Sequence, residues 1–204
     1  LYFAKKDPYL RWTASKGTAE RYGPKMLPME GRGHGKLDLR IYKVDPLNTS
    51  FWPFPDGPVV IDESTRPPGP GEEPNSQSSL GQRLLALGSP GVSALVELPL
   101  REEGNAASFG LDLDPHLKAL SGKNQPGHYL VGARNLDGST TRAWTRLQVT
   151  DLALTTVEGS GEVRFAVTSI RTGQPVPGAS VKIEGHSTLV LLDGKTDAEG
   201  IIQW

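Results

Sequence analysis

The chain has 204 residues, a formal net charge of −1 and no cysteine, which excludes disulfides, thiol catalysis and thiolate metal sites within it. Gly and Pro supply 24 and 17 residues, about a fifth of the chain against a usual share of about 12%, so many short elements joined by turns are expected rather than long helices. The basic residues form no block, so no nucleic-acid partner is expected, and no apolar run approaches the roughly 18 residues of a membrane helix.

The chain opens at Leu1 without a signal peptide and closes on the strand-like run Ile201-Ile202-Gln203-Trp204. It reads as a processed chain or a cut fragment. The first clear strand has Leu37, Leu39 and Ile41 alternating with Asp38, Arg40 and Tyr42, the period of a half-buried strand. From Phe51 to Ser79 the chain carries seven prolines, including Pro67-Pro68. Proline removes a ladder donor, so this stretch reads as an extended excursion ending in a mobile acidic loop at 69–79. Residues 79–87 then read as a short helix with Leu80, Leu84 and Leu87 on one face and Gly88 as its stop. A second short helix is expected at 115–120, with Asp114 as N-cap and Pro115 at the first helical position.

Alternation resumes with Tyr129, Val131 and Ala133. It continues with Ala143, Thr145, Leu147 and Val149 opposite Trp144, Arg146 and Gln148, then with Val163, Phe165 and Val167, and last with Ala179, Val181 and Ile183. Asp137-Gly138, Gly159-Ser160-Gly161, Pro177-Gly178 and Asp193-Gly194 separate these runs as turns. The expected fold is all-β, tandem antiparallel sandwiches. The first spans 1–150 with an insertion at about 51–125. The second, 151–204, is shorter than the roughly 100 residues of a complete sandwich.

Motifs that carry chemistry are scarce. The nucleophile elbow, the phosphate-binding loop and the zinc-protease pattern are missing from the sequence. Gly31, Gly33 and Gly35 lead into a strand, so no helix N-terminus is aimed at a phosphate. Asp112, Asp114 and His116 would share a side of a strand and could hold a metal there, but Pro115 and the capping role of Asp114 account for them without one. His34, His128 and His186 have no partner at motif spacing. Glu72-Glu73 and Glu102-Glu103 are neighbours pointing apart on an extended chain, which makes a poor carboxylate dyad. Asn48-Thr49-Ser50 matches a glycosylation sequon. The aromatic cluster Phe51-Trp52-Pro53-Phe54 is expected to pin the Pro-rich stretch to the sandwich, the other reading being a docking patch. No catalytic, cofactor-binding or metal-binding residue is assigned, and no enzyme activity is expected.

Three phrases nevertheless belong together. Gln148-Val149-Thr150-Asp151-Leu152 resembles the domain junction of bacterial alpha-2-macroglobulins. Gly173-Gln174-Pro175-Val176-Pro177-Gly178-Ala179-Ser180-Val181 is similar to a macroglobulin-domain motif of that family, and Thr196-Asp197-Ala198-Glu199-Gly200 to the turn that follows it. Related phrases occur in other Ig-like modules. The resemblance implies macroglobulin-type domains, here a cysteine-free N-terminal part, within a large periplasmic protease trap, either free or held at the inner membrane. In such a trap a protease cuts a bait segment and is caged as the surrounding domains collapse. Its partners would be proteases, the other domains of the same protein and further envelope proteins. With no cysteine, no thioester lies in this chain, and no bait segment is identified. The alternative is a structural or adhesive Ig-like module of a bacterial envelope protein.

Overall fold

The chain folds as strands wherever side chains of alternating character can be buried on one face of a pleat. The computed structural model describes residues 7–14, 16–48, 54–55, 57–64, 76–100, 105–185 and 189–204, and divides the chain into two compact units, 1–149 and 150–204. The all-β expectation holds: only two helices stand among the described residues.

The first unit contains two sheets. One has the order β1 (Tyr9–Trp12), β3 (Met26–Arg32), β7 (Ala107–Asp112). The other has the order β2 (Gly17–Glu20), β9 (Thr141–Thr150), β8 (Gly127–Asn135), β4 (Lys36–Val44), β6 (Val92–Glu97), and β5 (Val59–Asp62) also pairs with β9. Leu37, Leu39 and Ile41 of β4 and Tyr129 and Val131 of β8 meet Trp12, Leu27, Met29 and Leu111 of the smaller sheet in one core. The Trp12 indole N–H donates to the Ala143 carbonyl at 3.1 Å and ties the sheets together.

The polar face of β4 is covered as well, which alternation alone did not anticipate: Asp38 and Tyr42 are buried beside Leu39 and Ile41. The cover is a second core in which α1 (Ser76–Ala86) sets Leu84 against Tyr42, Val44, Phe54, Ile61, Leu130 and Trp144. Helix α1 starts three residues before the expected Ser79, so 76–79 of the expected mobile loop are helical, while 65–75 lie outside the described residues. The stretch expected as an insertion, about 51–125, is built into the sheets. It supplies β5, β6 and β7 to the two sheets, because Val59-Val60-Ile61 and the two later apolar runs find open ladder edges.

Helix α2 (Asp114–Ser121) corrects the capping expectation: Leu113, not Asp114, stands at the cap, and its own side chain makes no capping bond. Leu113 is fully buried in the core, which fixes where the chain turns. Asp114 is therefore already inside the first turn, and Asp112 Oδ1 accepts its backbone N–H at 2.9 Å.

The second unit pairs β10 (Leu152–Gly159) with β11 (Glu162–Ser169) and β11 with β14 (Ile201–Gln203), and adds the hairpin β12 (Ser180–Glu184) with β13 (Val190–Lys195). Phe165, Val167 and Val181 are its buried apolar residues. Asp193-Gly194, expected as a turn, lies inside β13 opposite Lys182 and Val181. A Cβ at Gly194 would stand 2.6 Å from Ile202 Cδ1. The glycine is there to admit a neighbouring side chain, not to reverse the chain.

Candidate functional site

The family-like phrases prove to be the joints of the second unit. Asp151 accepts at both carboxylate oxygens from the Ser169 hydroxyl and at Oδ1 from the Arg171 N–H, and its carbonyl accepts from Ile170 N at 2.7 Å. This fastens the start of β10 to the end of β11. Thr196, buried at 6% exposure, is the second joint. Its hydroxyl donates to the Val176 carbonyl at 2.7 Å and accepts from Ala179 N at 2.9 Å, and its carbonyl accepts from Gly178 N at 2.9 Å. The Asp197 carboxylate closes the next turn by accepting from Glu199 N and Ile201 N. Gly200 has φ +74°, and a Cβ there would stand 2.7 Å from the Val167 carbonyl oxygen. Only glycine suits a left-handed residue pressed against a neighbouring strand. The residues between Gly173 and Val181 are thus bonded directly to those between Thr196 and Gly200.

In the first unit the main polar assembly is one that sequence reasoning missed. Arg142 has no exposed surface. Its Nε donates to Glu63 Oε1 at 2.7 Å, and its two Nη atoms donate to the Asp38 carbonyl at 2.7 Å and to Asp38 Oδ2 at 2.8 Å. Arg134 donates to Asp38 Oδ2 at 2.8 Å, and Arg40 to Glu63 Oε1 at 3.1 Å. Three guanidiniums thus share two carboxylates. Burial by itself would raise the Asp38 carboxyl, but the bonds from Arg142 and Arg134 outweigh it and hold it below 3.8. Gly132 makes room for the assembly: a Cβ there would meet the Trp144 ring at 2.5 Å and Arg142 Cδ at 2.6 Å. The sequence signal lay in Asp38 and Arg40 on the polar face of β4, but the register that sets Asp38 opposite Arg134 comes only from pairing.

Among the described residues, those weighed for chemistry are not brought together. Asp112 ends β7, His116 stands on α2, and Asp114 Oδ1 faces Lys25 Nζ at 3.4 Å. Among the described residues no three His, Asp or Glu side chains gather as a metal site. His34 is buried, and its Nε2 has no hydrogen-bond partner. His128 is half-buried, and burial pushes its imidazole below 6.5. His186, both glutamate pairs, Phe51, Trp52 and Pro53, and Thr49 and Ser50 of the sequon lie outside the described residues. Phe54 is buried in the second core, where the pinning reading sets it. A cavity of about 550 Å³ is lined by Tyr22, Lys25, Asp114, Lys118 and Lys123. Another of about 370 Å³ is lined by Lys16, Val44, His128, Arg146 and Gln148. The first has no serine, threonine or cysteine among its lining residues and so no hydroxyl or thiol nucleophile of that kind.

Residues 149–204 match the family model of the bacterial alpha-2-macroglobulin MG3 domain. This segment is similar to a macroglobulin domain of the bacterial alpha-2-macroglobulins. The match bears out the resemblance carried by the three phrases. No curated protein matches the chain in sequence. In structure the chain is similar to native alpha-2-macroglobulin from Escherichia coli spanning domains NIE-MG1, with a TM-score of 0.66 at 16% identity over 96% of this chain and 86% of that one. It is similar also to the native conformation of the E. coli protein, with a TM-score of 0.60 at 14% identity. Salmonella alpha-2-macroglobulin reacted with methylamine gives 0.51 at 12% identity. This chain spans 11% of that E. coli chain and 10% of the Salmonella one. At these identities the likeness establishes the fold. The family model numbers the last segment MG3, whereas the E. coli structure spanned to 86% is described by domains NIE and MG1.

Proposed function

We propose that this chain is scaffold from a bacterial alpha-2-macroglobulin-like protease trap and is not itself an enzyme. The observation that carries this reading is the MG3 match over 149–204, where the matched residues are hydrogen-bonded joints rather than reactive groups. The all-β fold shared along the whole chain with macroglobulin structures supports it. In this reading the intact protein is periplasmic. A protease cuts its bait segment and is then enclosed, and the present chain supplies domain surfaces to the enclosure. A thioester, where the intact protein has one, lies outside these cysteine-free residues.

The test uses the intact protein with a broad-specificity serine protease and two substrates. A caged protease keeps its active site, so cleavage of a small chromogenic peptide should persist while cleavage of a large protein substrate falls. Equal loss on both would indicate an active-site inhibitor. No loss on either, with the bait cut, would favour the structural or adhesive module.

A further inference from the structure

The cavity of about 550 Å³ takes most of its lining from the turn before β3, from α2 and from the loop after α2. Its frame is braced. Arg21 Nε donates to the Asn124 carbonyl at 2.6 Å, which ties that loop to the end of β2, and Gly122 N donates to the Lys118 carbonyl at 2.9 Å. Asn124 stands at φ +55° and is, among the described residues, the one non-glycine at positive φ. Such a conformation persists where its surroundings fix it. Lys25, only 5% exposed, is already satisfied. Its Nζ donates to the Gly23 carbonyl at 2.6 Å and lies 3.4 Å from Asp114 Oδ1, and its backbone N–H donates to Asp114 Oδ2 at 3.3 Å. Lys118 and Lys123 line the same cavity, and among the described residues neither has a carboxylate partner. With Lys25 and Asp114 neutralising one another, two ammonium charges are left over.

Pro24, Pro115 and Leu117 share the lining and make part of the wall apolar. Small-molecule sites occupy about 300–1,000 Å³, and a bare ion the size of a water molecule, roughly 30 Å³, would leave most of this cavity unfilled. We propose that the cavity binds a small organic anion, a carboxylate carried on a flat apolar body. The carboxylate takes the charge of Lys118 and Lys123, and the body packs against Leu117 and the two prolines. Lysine is a point charge on a flexible stem, so two of them close on one carboxylate without the fork geometry that arginine demands. Both ammoniums belong to exposed residues. The attraction is therefore weak and screened by salt, and the apolar wall supplies the rest of the affinity.

Benzoate is the probe, titrated into the full chain at low salt and followed by the backbone amide signals in nuclear magnetic resonance. Saturable shifts at Leu117, Lys118, Lys123 and Asn124 are expected, with a Kd of about 1 mM. Benzamide has the same body without the charge, and inorganic phosphate has the charge without the body. Each should bind at least about ten-fold more weakly. The double variant Lys118→Gln, Lys123→Gln should weaken benzoate about ten-fold and leave the melting temperature unchanged, because both residues are exposed. Lys43→Gln, at an exposed lysine outside the lining, should leave benzoate binding as it was. The proposal is overturned if benzoate does not saturate these signals or shifts others instead. It is equally overturned if benzamide or phosphate binds as tightly, or if the double variant binds benzoate like the parent.

Discussion

Arg142 shows how a charged residue can be held at zero exposure: its hydrogen bonds go to carboxylates and carbonyls. Removing one member of such an assembly leaves an uncompensated buried charge, so Arg142→Met should cost about 3–5 kcal/mol in chemical denaturation. Arg11→Met, which breaks the exposed pair with Glu30, should leave the midpoint almost unchanged. Asp38 makes the acid limb steeper. Its folded carboxyl lies below the 3.8 of an unperturbed aspartate. The stability it contributes is therefore complete above that value and is lost as pH falls through the lower folded value. Midpoints followed from about pH 5 down to about pH 2 should decline less steeply in Asp38→Asn than in the parent. In the second unit, Thr196→Val keeps the shape of the side chain but strands the Ala179 N–H and the Val176 carbonyl. It should cost about 1–3 kcal/mol by the same measurement.

At the scale of elements, α1 decides whether the large sheet has one buried face or two. The leucine spacing at 80, 84 and 87 announces a helix, and Leu84 is the residue it buries. Leu84→Ala should destabilise by about 2–5 kcal/mol, since a truncated core side chain loses both transfer energy and packing. Leu85→Ala, on the exposed face of the same helix, should stay within about 0.5 kcal/mol. Circular dichroism melts of the two variants check the contrast. The strands split in the same way. Those of the strongly alternating runs, β4, β8, β9, β11 and β12, were legible. Strands β1, β2 and β5 have only four residues each, too short for a period to declare itself, and they form because a neighbouring ladder edge accepts them.

For the whole molecule, the two units have separate sets of buried residues: Phe165, Val167 and Val181 in one, and the two larger clusters in the other. Hydrogen exchange should therefore show Leu84→Ala lowering protection within 1–149, and Gly200→Ala, with its Cβ forced against the Val167 carbonyl, lowering it within 150–204. The all-β class, the leucine helix and the macroglobulin phrases were legible from the residues alone. Each of these is a local pattern, set by period, turn chemistry or short spacing, and survives without knowledge of what lies across the fold. Tertiary structure alone decided that Asp193-Gly194 runs straight through a strand and that Leu113 rather than Asp114 marks the start of α2. It also decided that Asp38, Glu63, Arg134 and Arg142 meet. These outcomes depend on which residues stand opposite one another after pairing. A close approach by Ile202, a fully buried leucine or a carboxylate some hundred positions away leaves no trace in the local sequence.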